Sequence, residues 1–238
     1  MKFFLAPMQG LTGYTVRNAF HHHFDYIDKY YTPFIPAAKR MNAKIKRDID
    51  PVNNDGITLI PQAMSIVADE VIDLHRQLVP YGYDEINVNL GCPSGTVVSK
   101  KRGSGILAYP DMLDSFLDEL YTKADFPVSI KTRVGFNDDE LWPKLIEIYS
   151  KYPISELTVH PRVQKDFYKN TPRMDDFALA MQKINPDKTI LCYNGDITDT
   201  NSFNALTDCF PDIDEIMIGR GLFANPALIA ELKGISMD

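Results

Sequence analysis

The sequence predicts an α/β fold of the (β/α)8 TIM barrel class, and three observations predict it. Eight short β-like runs alternate with amphipathic helical stretches along all 238 residues. Strands alternating with helices build parallel βα units. A barrel of this kind typically takes about 250 residues, so eight repeats in this length favour closure over an open doubly wound sheet. The chain reads as one domain, 1–238, because no linker or low-complexity tract interrupts the rhythm.

The runs follow in order. "FFLA" (Phe3–Ala6) opens the chain, then "YIDKYYT" (Tyr26–Thr32), "ITLIPQ" (Ile57–Gln62) and "EINVNL" (Glu85–Leu90). "PVSIKTR" (Pro127–Arg133), "ELTVHP" (Glu156–Pro161), "ILCYN" (Ile190–Asn194) and "EIMIG" (Glu215–Gly219) complete the set. Between them, Val67, Val71, Leu74 and Leu78 recur at helical spacing, as do Met112, Phe116 and Leu120, and Leu141, Leu145 and Ile148. Near the end, Asn225 followed by Pro226 predicts a capped helix start.

Composition narrows the class. With 45% hydrophobic and 24% charged residues the chain has the makings of an ordinary globular core. The apolar stretch before Pro7 is too short for a signal-peptide core, and no later run is long enough to span a bilayer. Cys92, Cys192 and Cys209 are odd in number and lack C-x-x-C spacing, which argues against a disulfide framework or zinc site and fits a reducing cytoplasm. Cys192 and Cys209 read as small buried hydrophobes, and His21–His23 as a polar helix face rather than a metal site. The net charge of −7 speaks weakly against a nucleic-acid partner, although local patches matter more than totals.

Alternation inside the strands says more. Ile86, Val88 and Leu90 share one face of their run, while Glu85, Asn87 and Asn89 share the other. Ser129, Lys131 and Arg133 likewise oppose Val128 and Ile130, and Thr158, His160 and Arg162 oppose Leu157 and Val159. The apolar sets are expected under the helices and the polar sets in the lumen, with Lys131 standing in an otherwise apolar interior. Gln62, Asn89, Lys131, His160 and Asn194 all fall at C-terminal strand ends, where barrel active sites are built. Polar groups converging there without a ligand would be costly. The seventh and eighth runs end in "YNGDI" and "IGRGLFANP", and barrels often bind phosphate between those two loops. "GSGILA" (Gly103–Ala108) fits G-x-G-x-x-A but follows "SKKR" instead of an apolar strand, so it is set aside as a dinucleotide fingerprint.

These segments resemble the flavin-dependent tRNA-dihydrouridine synthase family. The resemblance rests on "LAPMQGLTGYTVR", "NLGCPS", "IKTRVGF", "HPRVQKDFYK", "NGDI" and "IGRGLFANP", in that order over nearly the whole chain. It implies FMN at the barrel mouth, with NADPH or NADH as reductant and tRNA as substrate. By motif, Ala6, Pro7 and Met8 would line the flavin, and Gln62 and Lys131 would hydrogen-bond the isoalloxazine edge. His160 would lie beside the ring or ribityl chain; Asn194, Gly195, Asp196, Gly219 and Arg220 would hold the phosphate. Asn89 would meet the substrate base and Cys92 would be the catalytic acid. Lys100, Lys101, Arg102, Arg133 and Arg162 would contact RNA. Neither metal nor membrane is implied. Two alternatives stay open: another FMN barrel oxidoreductase such as a dihydroorotate dehydrogenase, and a non-catalytic flavin- or phosphate-binding barrel.

The family's C-terminal helical domain, which helps grip tRNA, has no counterpart before Asp238. The expectation is therefore normal FMN binding with weak tRNA binding. Phosphate contacts release counterions, so affinity for tRNA should fall steeply as salt rises. A tRNA titration at two salt concentrations checks this; tight, salt-insensitive binding would contradict it.

Overall fold

The computed structural model describes residues 1–37 and 40–235. Its strands are β1 (Lys2–Leu5), β2 (Lys29–Tyr31), β3 (Ile35–Pro36), β4 (Leu59–Ile60), β5 (Gln62–Met64), β6 (Ile86–Leu90), β7 (Val128–Gly135), β8 (Glu156–Val163), β9 (Ile190–Tyr193) and β10 (Glu215–Ile218). Its helices are α1 (Tyr14–His23), α2 (Ala43–Ile49), α3 (Ala68–Leu78), α4 (Gly95–Val98), α5 (Pro110–Lys123), α6 (Trp142–Ser150), α7 (Met174–Lys183), α8 (Thr200–Cys209), α9 (Arg220–Ala224) and α10 (Leu228–Leu232).

Every strand pairing is parallel. β1 sits between β10 and β2, and β2 pairs with β4. β4 and β5 are halves of one run interrupted at Pro61, and β5 pairs with β6. The run therefore joins the two edges of the sheet and closes it into a ring of eight staves. Proline has no N–H to give a ladder, which explains the interruption; its carbonyl still accepts from Asn87 N at 2.9 Å. β3 was not foreseen. "PFIP" lacks alternation, and its two residues only extend the ladder beside β5 near the mouth.

The faces match the expected alternation. Ile86, Val88, Leu90, Val128, Ile130, Leu157 and Val159 are buried in the main apolar core. Phe4, Ala6, Tyr31, Ile60, Cys192 and Met217 form a second, separate cluster. Four details depart from the sequence reading. Val67 and Leu141 are exposed residues just before α3 and α6, not members of them. Asn225 Oδ1 does accept the Ala227 N–H at 3.1 Å, but regular helix starts at Leu228. Cys209 is exposed, not buried. The interior is also less apolar than expected. Glu156 accepts from Lys29 Nζ at 2.7 Å, from Tyr31 OH at 2.7 Å and from Thr158 Oγ1 at 2.7 Å. Paired in this way, the buried carboxylate avoids the penalty of an isolated charge.

The loop after β1 is pinned from below. Gly13 precedes α1 and has no side chain to cap it. Asp48 Oδ1, from α2, accepts the Tyr14 N–H at 2.7 Å instead. The same carboxylate meets Arg17 Nη1 at 3.2 Å. Arg17 is fully buried and donates to Thr12 O at 2.7 Å, Asp48 O at 2.6 Å and Asn54 Oδ1 at 2.9 Å. Thr12 Oγ1 in turn accepts the Met8 N–H at 2.9 Å. Removing one member of a buried charge pair leaves the other uncompensated. Asp48→Ala should therefore cost about 3 kcal/mol, the low end for such a pair; urea unfolding of variant and parent reads it, and a loss within experimental error would show that the pair does not hold the loop.

Candidate active site

A cavity of about 500 Å³ opens at the C-terminal ends of the strands, within the range of small-ligand sites. The polar strand ends named from the sequence converge on it: Gln62, Asn89, Lys131, His160 and Asn194 all line it. Ala6, Pro7 and Met8 form one wall, Gly195, Asp196, Gly219 and Arg220 another, and Cys92 a third.

Each wall has its own support. Met8 is held through Thr12 and Arg17, as described. The β9 and β10 ends come close because both carry glycine. A Cβ on Gly221 would lie 2.1 Å from the Ile197 carbonyl oxygen, so no larger residue allows this packing. The Cys92 loop is gripped on three sides. Asn89 Oδ1 accepts the N–H groups of Gly91 at 3.1 Å and Cys92 at 2.9 Å. Arg133 Nε donates to Gly91 O at 3.0 Å. Ser104 donates to Cys92 O from its N–H at 3.1 Å and its hydroxyl at 2.9 Å. The glycine-rich stretch after the basic run is thus the clamp on the thiol loop. Gly103 has φ +54°, and a Cβ there would meet Cys92 O at 2.7 Å.

The charges cluster. Asp196 receives both guanidinium groups, with Arg162 Nη1 at 3.0 Å and Arg220 Nη2 at 2.5 Å. Burial would raise the Asp196 pKa, but its hydrogen bonds and ion pairs with Arg162 and Arg220 more than offset that and hold it below the ordinary value. A carboxylate cannot itself bind phosphate. Its geometric role is to aim the two guanidinium groups at that end of the cavity. His160 Nε2 lies 3.1 Å from Arg162 Nη1. Burial first, then Arg133, Lys131, Arg162 and Arg220 together, lower its pKa well below the usual histidine value. The imidazole is therefore neutral, with Nε2 an acceptor. Among the described residues Lys131 Nζ has no hydrogen-bond partner, and burial, reinforced by Arg133, pulls its amine down to about 7. Burial pushes the Cys92 thiol up, against the pull of the Ser94 backbone, Arg133 and Lys131. It stays protonated at neutral pH.

The cationic residues expected at RNA divide into two groups. Arg133 and Arg162 are buried. Arg133 also donates to Val163 O at 2.9 Å and Phe167 O at 2.7 Å, and Arg162 to Asn170 O at 2.5 Å. Both brace loops. Arg133 touches the cavity, and Arg162 lies behind its lining. Lys100 and Lys101 are exposed outside the cavity, and Arg102 pairs with Glu70 at 3.1 Å. Sequence reasoning missed Tyr168, half exposed at the rim. Its ring lies 4.9 Å from the Arg220 guanidinium and 5.5 Å from that of Arg133. An aromatic pair at 167–168 was visible, but without periodicity nothing tied it to the mouth.

Fold and site together define a TIM-barrel protein whose active end sets a protonated thiol beside a cationic cavity. The chain belongs to the dihydrouridine synthase family, whose description "Dihydrouridine synthase (Dus)" matches residues 4–237. It is 26% identical over 243 residues to tRNA-dihydrouridine synthase B of Pasteurella multocida, covering 98% of this chain and 69% of that protein. A probable tRNA-dihydrouridine synthase of Staphylococcus aureus is 34% identical over 154 residues, 63% of this chain and 46% of the other. tRNA-dihydrouridine synthase B of Shigella flexneri is 30% identical over 183 residues, 76% and 56% respectively. The chain thus spans between about half and two thirds of the length of these relatives. Among solved structures, morphinone reductase matches with a TM-score of 0.65 at 10% identity, covering 100% of this chain and 87% of its own, a likeness of fold alone. Among the described residues no helix is long and apolar enough to cross a membrane.

Lys131 generates a prediction about pH. Its folded pKa of about 7 lies below the ordinary 10.5. Between those values the unfolded chain binds the extra proton, so this group makes stability rise with pH and is most costly below 7. In ligand-free protein, Lys131→Met should gain stability over the parent at pH 7, and the gap should narrow by pH 10. Melting curves at the two pH values check both signs.

Proposed function

We propose that the protein is a tRNA-dihydrouridine synthase that uses FMN and NADPH or NADH to reduce the C5–C6 bond of uridine in tRNA. Family membership and the names of its relatives support the class of reaction. The observation that carries the reading is the Cys92 thiol, held protonated at the edge of a cavity rich in hydrogen-bond donors and positive charge.

The residues present fit FMN. Arg220, half exposed and aimed by Asp196, suits a terminal phosphate, and Asn194, Gly195 and Gly219 border the same end. Lys131 has no acceptor among the described residues and suits a flavin-edge oxygen. Lys131 would also favour the anionic form of the reduced ring, because a cation there stabilises the added charge. Ala6, Pro7 and Met8 offer an apolar wall, and His160, being neutral and accepting from Arg162 at Nε2, keeps its Nδ1–H as a donor without adding to the positive charge. When bound, reduced FMN supplies the hydride for C6 of the base.

The chain's own part is the proton. Uracil takes up a hydride at C6 and a proton at C5, and a group on the protein has to deliver the second. Cys92 has the proton, the position and the protonation state to act as general acid. Its thiolate then recovers a proton from solvent. Asn89 fixes the backbone on which the thiol stands. Lys100 and Lys101 stand exposed just beyond that loop and suit RNA phosphates around the target base. Reaching a stacked uracil requires extruding it from the RNA, and the half-exposed Tyr168 at the rim offers a face for it.

The absorbance spectrum of the purified protein tests the cofactor. Oxidised-flavin bands are expected, and a colourless protein that ignores added FMN would remove the proposal. Lys131→Ala should weaken FMN retention and slow flavin reduction by NADPH. Cys92→Ala should keep FMN and lose roughly 10²–10⁴-fold in dihydrouridine formation, the usual worth of a general acid; turnover at the parent rate would assign the acid elsewhere.

A further inference from the structure

The cations of the outer helices are mostly neutralised by their neighbours. Arg76 on α3 meets Asp73 at 2.8 Å, and Lys123 on α5 meets Asp69 at 2.7 Å and Glu119 at 2.5 Å. Lys144 on α6 meets Asp111 at 2.7 Å, and Lys183 on α7 meets Glu147 at 3.4 Å. The helix α2 breaks this pattern. Its sequence is AKIKRDI, and Lys44, Lys46 and Arg47 are all exposed. Among the described residues none of the three meets a carboxylate, and of α1–α10 no other helix leaves all its lysines and arginines unpaired. The one acidic residue of α2, Asp48, is turned inward to Arg17 and to the Tyr14 N–H.

This arrangement works against the helix. Lys44 and Arg47 are three residues apart and so are neighbours on its surface, where like charges repel. Lys44 also stands in the first turn, at the positive end of the helix dipole, and no acidic residue accompanies it there. The helix is nevertheless firmly held. Asn42 Oδ1 caps it by accepting the Ile45 N–H at 3.0 Å. Asn53 Nδ2 donates to Arg47 O at 2.9 Å, and Tyr83 OH donates to Ile49 O at 2.5 Å. A departure from local preference on a well-anchored element marks a functional surface more often than a fault. Three unneutralised cations fixed on a protein of net charge −7 form a local field for an anionic partner.

The helix lies beside the mouth. Asp48 holds the start of α1, and the Arg47 guanidinium sits 6.0 Å over the Tyr14 ring. Tyr14 follows closely on the loop whose Ala6, Pro7, Met8 and Leu11 line the cavity. We propose that Lys44, Lys46 and Arg47 form an RNA-backbone surface on the flank of the barrel, which holds phosphates of the tRNA next to the mouth that its uridine enters. The inference rests on the functional reading above and adds a contact outside the cavity. It is separate from Lys100 and Lys101, which follow β6, whereas α2 lies between β3 and β4. A helix of seven residues is about 10 Å long. One strand of a nucleic-acid duplex advances about 3.4 Å per phosphate, so the three cations can each meet a phosphate of their own.

Two triple variants of equal charge test this surface. Lys44→Gln/Lys46→Gln/Arg47→Gln removes the α2 cations, and Lys144→Gln/Lys151→Gln/Lys183→Gln removes three paired cations elsewhere on the outer surface. Binding of labelled tRNA is measured over a range of salt concentrations, with melting temperature and dihydrouridine formation alongside. The α2 triple should bind roughly tenfold more weakly at low salt, and its plot of log K against log salt should be shallower by about 2, because each lost phosphate contact removes roughly 0.7–0.9 from the slope. Relief of like-charge repulsion should leave its melting temperature at or above that of the parent. The other triple should keep the parental slope. An α2 triple that binds tRNA no worse than the other triple, or that melts below the parent, overturns the proposal. A parent that binds phosphatidylserine vesicles through these residues, and not tRNA, overturns it too, because the partner would then be a membrane. A parent that binds tRNA but forms no dihydrouridine refutes the functional reading instead, and the two triples then decide the surface by themselves.

Discussion

Four cationic side chains, Lys131, Arg133, Arg162 and Arg220, gather around one end of the barrel, and Asp196 is the one carboxylate among the described residues that line the cavity. Most of the design of the mouth follows from making that concentration of like charge tolerable. Arg133 is braced by three carbonyl oxygens, and Arg162 by Asp196 and a carbonyl. Burial and its neighbour pull even Arg133 down to about 10. Lys131 has no such support, and it responds by moving toward neutrality at physiological pH. His160 responds by staying neutral altogether. A site in this condition is stabilised by an anion, because an incoming negative charge relieves repulsion among groups that are already desolvated.

The same economy explains what lies inside the barrel. Polar residues there follow from the alternation of β6, β7 and β8, yet few of them lack partners. The buried side-chain atoms without a partner among the described residues are Tyr30 OH, Ser155 Oγ, Asp176 Oδ2 and Glu215 Oε2, and none belongs to a residue lining the cavity. The unsatisfied buried atoms thus lie away from the mouth, Glu215 Oε2 at the start of β10 among them. The side chains between Gln62 and Cys92 are satisfied, and a satisfied network is stiff. That stiffness reaches Cys92 through Asn89.

Much of this was legible in the sequence. A period of two assigned Glu85, Asn87, Asn89, Ser129 and Lys131 to one face, and glycines at 195 and 219 marked the loops of the last two staves. Periodicity reports faces, however, and not partners. Nothing local distinguishes Arg133, which braces carbonyls 30 and more residues away, from an arginine waiting for RNA. Arg17 and Asp48, 31 residues apart, are invisible for the same reason, and so was β3, which is too short to show a pattern. Cys209 was misjudged because cysteine's average burial was applied to a helix end that faces solvent.

The cations beside Cys92 show how placement decides chemistry. A thiol next to free positive charge ionises and becomes a nucleophile. Here the nearest cations are poor thiolate partners: Arg133 is directed at carbonyls, and Lys131 is itself half neutral at pH 7. Lys101 is turned away by its positive φ of 56°, with its ammonium 4.4 Å from the Tyr109 ring. Arg102 is neutralised by Glu70. Burial then outweighs what attraction remains, and the thiol keeps its proton. The basic run and the thiol are neighbours in the chain because one glycine-rich clamp serves both, yet the clamp keeps their charges apart. An acid at this position depends on that separation as much as on the cysteine.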